Sequence, residues 1–294
     1  MRQVASSPKI YIADVGFATR FWSRLRAAFQ VTYEENCFGI AKGAAYSSLL
    51  AFFPVITTIA AVLVQANADA VARTIARLLY DVIPPGTENI VRDLFVVKGS
   101  RPTTLLVGAV LLAVWASSGV MMSLIEGFRG IYQIPSSRSF VKERAVALWL
   151  VLTAAIPLLG ASALIVFGNR TRRAAIAWLG LTDGRDDLRS WVKLAGQALS
   201  FAIALVAIVV IMALVYYFGP NRKQTFRGVL PGAFLATILW LLSTLAVGWY
   251  LRDIANYNVL YGGVGAGLAL LVWSYVLSVI TLFGCAYNAV YERR

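Results

Sequence analysis

Six stretches of the chain, residues 44–64, 103–125, 145–167, 196–218, 229–251 and 264–287, run for twenty or more positions without a charged side chain. A helix needs about 20 apolar residues to cross the hydrocarbon core, because every backbone polar group must be satisfied inside the segment there. The pattern therefore predicts an all-α integral membrane protein with about six transmembrane helices. Pro54 and Pro157 fall inside two of the runs, and each marks a kink that neighbouring helices must accommodate.

Two polar stretches are also patterned. Between Arg20 and Thr32, the residues Phe21, Leu25, Ala28, Phe29 and Thr32 share one helical face, with Arg20, Arg24, Arg26 and Gln30 around the rest of the axis. That is either a basic amphipathic helix in the membrane interface or a helix packed on the bundle. In the first long loop, Val71, Ile75, Leu78, Leu79 and Val82 form a stripe that Pro84, Pro85 and Gly86 end. A second short helix follows from Thr87, so a helical hairpin is expected at the outer surface. The chain divides into an N-terminal segment (1–43), a six-helix membrane domain (44–291) and a short tail (292–294). The N-terminal segment is too polar to be a secretory signal, so the first span is expected to act as the insertion signal.

Composition agrees, with 59% hydrophobic residues and 14% charged, too little charge to cover a water-soluble surface. The formal net charge of +13 points to topology-setting loops and to anionic lipid rather than nucleic acid in a chain this apolar. Placing both termini inside puts 15 of the 27 Lys and Arg on the cytoplasmic side. The outer loops offset their own share with Asp69, Asp81, Glu88, Asp93, Asp183, Asp186 and Asp187. Histidine is absent, which removes His-ligated metals and imidazole acid–base chemistry. The two cysteines, Cys37 and Cys285, match no metal or redox spacing; both are expected near one membrane face as free thiols.

Few side chains remain that could carry chemistry. Glu126 and Arg129, at the end of the second run, read as an interfacial ion pair or, alternatively, as a proton or headgroup site facing a cavity. Lys42, at the entrance of the first span, is open to the same two readings: topology and snorkelling, or headgroup binding. With Tyr46, Arg222 and Arg227 these are the candidate lipid- or substrate-binding residues. Trp115, Trp240 and Trp273 fall near mid-span, and each indole N–H needs a partner where water is scarce. They are expected, with Pro54, to pack inside the bundle or line a path. Tyr46, Ser47, Ser48, Ser117 and Ser118 place hydroxyls at depth, suited to helix–helix hydrogen bonds. The run Gly262-Gly263-Val264-Gly265-Ala266-Gly267 allows close helix approach and leaves a homo-oligomer open. No Walker lysine follows it, so no nucleotide site is expected.

Several blocks resemble the YihY/BrkB family of bacterial inner-membrane proteins, once labelled ribonuclease BN-like. The residues are Ala44-Ala45-Tyr46 through Phe53-Pro54, Trp115-Ala116-Ser117-Ser118-Gly119 through Tyr132, Pro231-Gly232-Ala233 through Trp240, then Tyr261-Gly262-Gly263, Trp273, Tyr275 and Gly284-Cys285-Ala286-Tyr287-Asn288-Ala289. Glu126-Gly127 stands where the family more typically has Leu-Asn. The resemblance covers residues 21–289 and implies six spans, an inner-membrane location and links to envelope integrity, with lipid or lipopolysaccharide transport proposed for the family.

Nuclease chemistry needs carboxylate-held metal or an acid–base pair beside a nucleic-acid surface. The tight acidic group Asp183, Asp186 and Asp187 instead falls on the expected outer side. The expected function is therefore ATP-independent movement of an anionic lipid or envelope amphiphile, with no enzyme activity, cofactor, metal or nucleic-acid partner. The alternative is a membrane scaffold that binds lipid or proteins without moving anything.

Overall fold

The computed structural model describes residues 17–65, 103–135, 139–154, 186–250 and 264–293. They form helices α1 (Phe17–Glu34), α2 (Cys37–Gln65), α3 (Thr103–Tyr132), α4 (residues 140–154), α5 (Asp186–Phe218), α6 (Phe226–Trp249) and α7 (Val264–Glu292). No strand occurs among the described residues. Five helices, α2, α3, α5, α6 and α7, are long and apolar enough to cross a membrane. The third apolar run begins in α4 and continues outside the described residues; the outer hairpin of residues 66–102, Pro157, Asp183, Gly262 and Gly263 lie outside them too. The helices also outrun the charge-free stretches. α2 starts at Cys37 and α3 continues to Tyr132, so Glu126 lies within a helix rather than at its end.

Local chemistry sets the turns. Asn36 takes a left-handed backbone conformation, φ 52°, which asparagine tolerates better than most residues. Its carbonyl then accepts from the N–H groups of Gly39 and Ile40 to start α2. A Cβ at position 39 would displace the end of the Asn36 side chain, so glycine lets that amide lie over the start of α2. At the end of α3, Ile134 N donates to Arg129 O and Gln133 N to Gly130 O, the paired bonds that close a helix around a left-handed residue. That residue is Gln133, φ 55°, with Pro135 close behind to stop the helix.

α7 is the hub, packing against α1, α2, α3 and α6, while α2 with α3 and α5 with α6 complete the bundle. Burial is concentrated at the end of the bundle nearest α1, in Ala41, Leu124, Phe128, Ile131, Tyr216, Val229, Leu282 and Cys285. Apolar attraction does not drive helix association in lipid, so close approach and internal hydrogen bonds must. α6 and α7 supply both. A Cβ on Gly232 would meet Gly284 O, and one on Gly284 would meet the Tyr216 hydroxyl and Gly232 O. Asn288, fully buried, accepts from Gly232 N at 2.6 Å and donates to Val229 O at 3.0 Å, beside the point where Pro231 cannot donate. Tyr216 of α5 donates to Thr281 O of α7 at 2.8 Å.

α1 takes the packed form of the two expected ones. Ala28 and Thr32 are buried, Phe21 meets the Tyr287 ring at 6.3 Å, and the Arg24 guanidinium lies 4.7 Å over Tyr291. The helix is thus docked on α7. Its opposite side exposes Trp22 and Tyr33, both 71%, with Phe29 and Arg26 between them.

Candidate functional site

At the α1 end, the α1–α2 corner and the last turns of α3 enclose an open cleft of about 440 Å³ lined by Glu35, Glu126, Arg129, Gly130, Gln133, Ile134 and Pro135. The left-handed backbone at Gln133 aims its amide back across the cleft, where Nε2 donates to Glu35 Oε1 at 2.6 Å and to Gly130 O at 3.1 Å. A non-glycine residue in that conformation costs roughly 1–2 kcal/mol, offset here by the two bonds. Its lining carries two acids, Glu35 and Glu126, and one base, Arg129.

Charge continues from the cleft toward the middle of the bundle. Arg129 does not pair with Glu126, its neighbour one turn back; its Nη1 donates to Glu143 Oε1 of α4 at 2.6 Å. Glu143 is 8% exposed, so the pair is largely removed from solvent. The next residue, Arg144, lays its guanidinium 4.2 Å from the Trp115 ring centroid, and its Nη2 donates to Trp115 O at 3.1 Å. Trp115 lies roughly 25 Å along α3 from Tyr132 at the usual helical rise. A row of charged groups, Glu126, Arg129, Glu143 and Arg144, therefore follows one side of α3 from the cleft to the level of Trp115.

A second cleft, about 430 Å³, lies in the α5–α6 turn and is lined by Tyr217, Phe218, Pro220, Asn221, Arg222, Lys223 and Gln224. Gln224 Nε2 donates to Tyr216 O and Tyr217 O at 2.6 and 2.9 Å, covering the open carbonyls of α5. Arg222 pairs with Glu292 of α7 and stacks 4.2 Å over Tyr132 of α3, so it ties three helix ends together.

Of the residues singled out in the sequence, Glu126 and Arg129 share the first cleft, and Arg222 lies apart in the second. Lys42 is exposed on α2, as is Tyr46 one turn further on at 59%, and Arg227 is exposed at the start of α6. None of these three lines either cleft. Trp115 is not packed inside the bundle; it is 57% exposed because its face of α3 points away from α2 and α7. Trp240 and Trp273 are half-buried, and the Trp240 indole N–H is buried with no acceptor among the described residues. Pro54 is half-buried within α2. Of the deep hydroxyls, two bond within their own helix rather than across helices: Ser48 donates to Ala44 O and Ser118 to Trp115 O. Both cysteines are buried and free.

The pattern of charges did not single out Glu35, Gln133, Glu143 or Arg144. Glu143 and Arg144 stand just ahead of an apolar run and read as ordinary flanking charge; only the packing of α4 carries them inward along α3. No set of three or more Cys, Asp or Glu side chains among the described residues could hold a metal ion.

A bundle of long apolar helices with charged clefts at one end defines a multi-pass helical membrane protein. The chain belongs to the virulence factor BrkB family, whose family model matches residues 28–294. It is similar to the ribonuclease-like protein YfkH of Bacillus subtilis, 27% identical over 66% of this chain and 68% of that protein. It is also similar to UPF0761 membrane proteins of Janthinobacterium sp. (26% identical, 92% of this chain, 62% of the relative) and Rhodospirillum centenum (27% identical, 90% and 56%). The chain thus spans about three fifths of the length of those UPF0761 relatives. No solved structure matches it.

Proposed function

We propose that this chain is a transport protein of the bacterial inner membrane, with both termini cytoplasmic, that moves an anionic lipid or related envelope amphiphile across the bilayer without ATP. The observation that carries this reading is the charged ladder along α3, from the cleft at Glu126 to Arg144 beside Trp115. A charged side chain at mid-bilayer costs about 2.5–3.5 kcal/mol on insertion scales, and a bundle whose task was only to hold its helices together would not require one. A headgroup could exchange its water for the cleft and then for the ladder while its acyl chains stay in lipid along the exposed face of α3, where Leu111, Leu112 and Trp115 lie. Glu126, exposed and without an ion-pair partner among the described residues, is the acid available to couple a proton.

Phosphodiester hydrolysis, suggested by the ribonuclease-like name of YfkH, is the weaker reading. Histidine is absent, and the described residues offer no carboxylate cluster for a metal.

The test is lipid scrambling in proteoliposomes containing fluorescent anionic lipids, read by quenching of the outward-facing headgroups. Glu126→Gln is the clean probe, because that side chain makes no hydrogen bond or ion pair among the described residues. Arg129→Ala must be accompanied by a stability measurement, because it strands the buried Glu143 carboxylate, a loss worth roughly 3 kcal/mol. Wild-type movement that Glu126→Gln slows about tenfold or more supports the reading. Folded protein that moves no tested anionic lipid would replace it with the scaffold.

A further inference from the structure

We infer that Arg144 and Trp115 form an intramembrane binding site for the phosphate of an anionic phospholipid. The proposal rests on the transport reading only for the route by which lipid arrives; binding there does not require that the lipid be moved.

Three observations converge on the site. The Arg144 charge has no carboxylate partner among the described residues, since the adjacent Glu143 is taken by Arg129 at 2.6 Å. Its guanidinium donates from Nη2 to Trp115 O, a neutral acceptor, while Nε is buried with no acceptor among the described residues. The site is also open to the side: Trp115 is 57% exposed, with Leu111 and Leu112 exposed one turn earlier, so acyl chains have an apolar surface beside the charge. A half-buried guanidinium set against an indole presents the remaining donors of its planar fork to an anion, and phosphate oxygens match that fork. The Trp115 ring and carbonyl hold the fork in place before any lipid binds, which reduces the ordering cost of binding.

A lipid, rather than a soluble anion, is the ligand because the guanidinium sits near the middle of the 103–125 run and beside lipid-facing leucines. The aqueous cleft at Glu126 and Arg129 lies several turns away along α3.

The test uses the full chain in detergent micelles doped with phosphatidylglycerol or phosphatidylcholine, with retained lipid counted by native mass spectrometry. Wild type should retain phosphatidylglycerol in preference to phosphatidylcholine. Arg144→Gln should weaken phosphatidylglycerol retention about tenfold, the loss expected for a charge-assisted hydrogen bond. Lys142→Gln, which removes an exposed neighbouring charge, should change nothing. Arg144→Lys keeps the charge and loses the fork, and should fall between; if the Gln variant does not fold, wild-type retention by the Lys variant overturns the site. Wild-type retention by a folded Arg144→Gln, or displacement of the lipid by excess inorganic phosphate, overturns it as well. A wild type that scrambles lipid but retains no phosphatidylglycerol removes this site and leaves the transport reading; a wild type that retains phosphatidylglycerol through Arg144 but scrambles none does the reverse.

Discussion

Asn288 is the side chain on which the helix contacts depend most directly. Its amide satisfies one N–H and one carbonyl of α6 at the step where Pro231 interrupts the ladder. Both groups are buried, and a buried backbone group without a partner costs about 1–3 kcal/mol. Asn288→Ala should therefore lower the midpoint of thermal unfolding in detergent markedly, whereas Gln30→Ala, at an exposed position on α1, should shift it little. Equal midpoints for the two variants would refute the clamp. Gln133 shows the same economy at the cleft, where one side chain closes α3 and positions Glu35. Neither role could be read from residue type: asparagine and glutamine at such positions are compatible with capping, exposure or a turn.

Between elements, small residues decide how near the helices come. Gly232 and Gly284 face each other where α6 crosses α7, with backbone or a fixed hydroxyl in the space of a Cβ. By contrast, Gly267 and Gly108 have nothing within 4 Å of that position. Gly232→Ala and Gly284→Ala should each destabilise strongly, since backbone must shift to admit the methyl. Gly267→Ala should be neutral or stabilising by up to about 1 kcal/mol through helix propensity. The comparison is made by retention of native migration on gel filtration after heating, and a Gly267→Ala protein less stable than Gly232→Ala would contradict the crossing. The glycine run before α7 was the evident candidate for close approach in the sequence; the contact that the fold uses joins Pro231-Gly232 to Gly284, two blocks far apart in the chain.

For the whole molecule, parity is the strongest constraint. The α1–α2 corner, the end of α3, the start of α4, the α5–α6 turn and the end of α7 are drawn to one end of the bundle by Gln133 with Glu35, Arg129 with Glu143, and Arg222 with Glu292. The end of α1, next to Glu35, and the end of α7 at Glu292 therefore lie at the same end of the bundle, as the proposed orientation with both termini cytoplasmic requires. A fluorescent protein fused to the C-terminus should fluoresce in cells and a periplasm-dependent phosphatase fused there should be inactive; the opposite pair of results would invert the proposed orientation.

The all-α membrane fold class was determined by the sequence alone, because the need to satisfy backbone hydrogen bonds in lipid leaves a charge-free run of this length few alternatives to a helix; five such helices stand among the described residues. The same reasoning located the Glu126–Arg129 region. It did not pair those residues correctly, because the i, i+3 spacing within α3 competes with a partner on α4 that only packing brings near. It placed three tryptophans at mid-span without resolving that Trp115 faces outward, since nearly every side of these helices is apolar and no face is marked as the core. The descent of Glu143 and Arg144 along α3, and the joining of Gly232 to Asn288, are decisions of the tertiary structure: they depend on the relative position of helices, which a lipid-adapted sequence, uniformly apolar around each axis, does not encode in its periodicity.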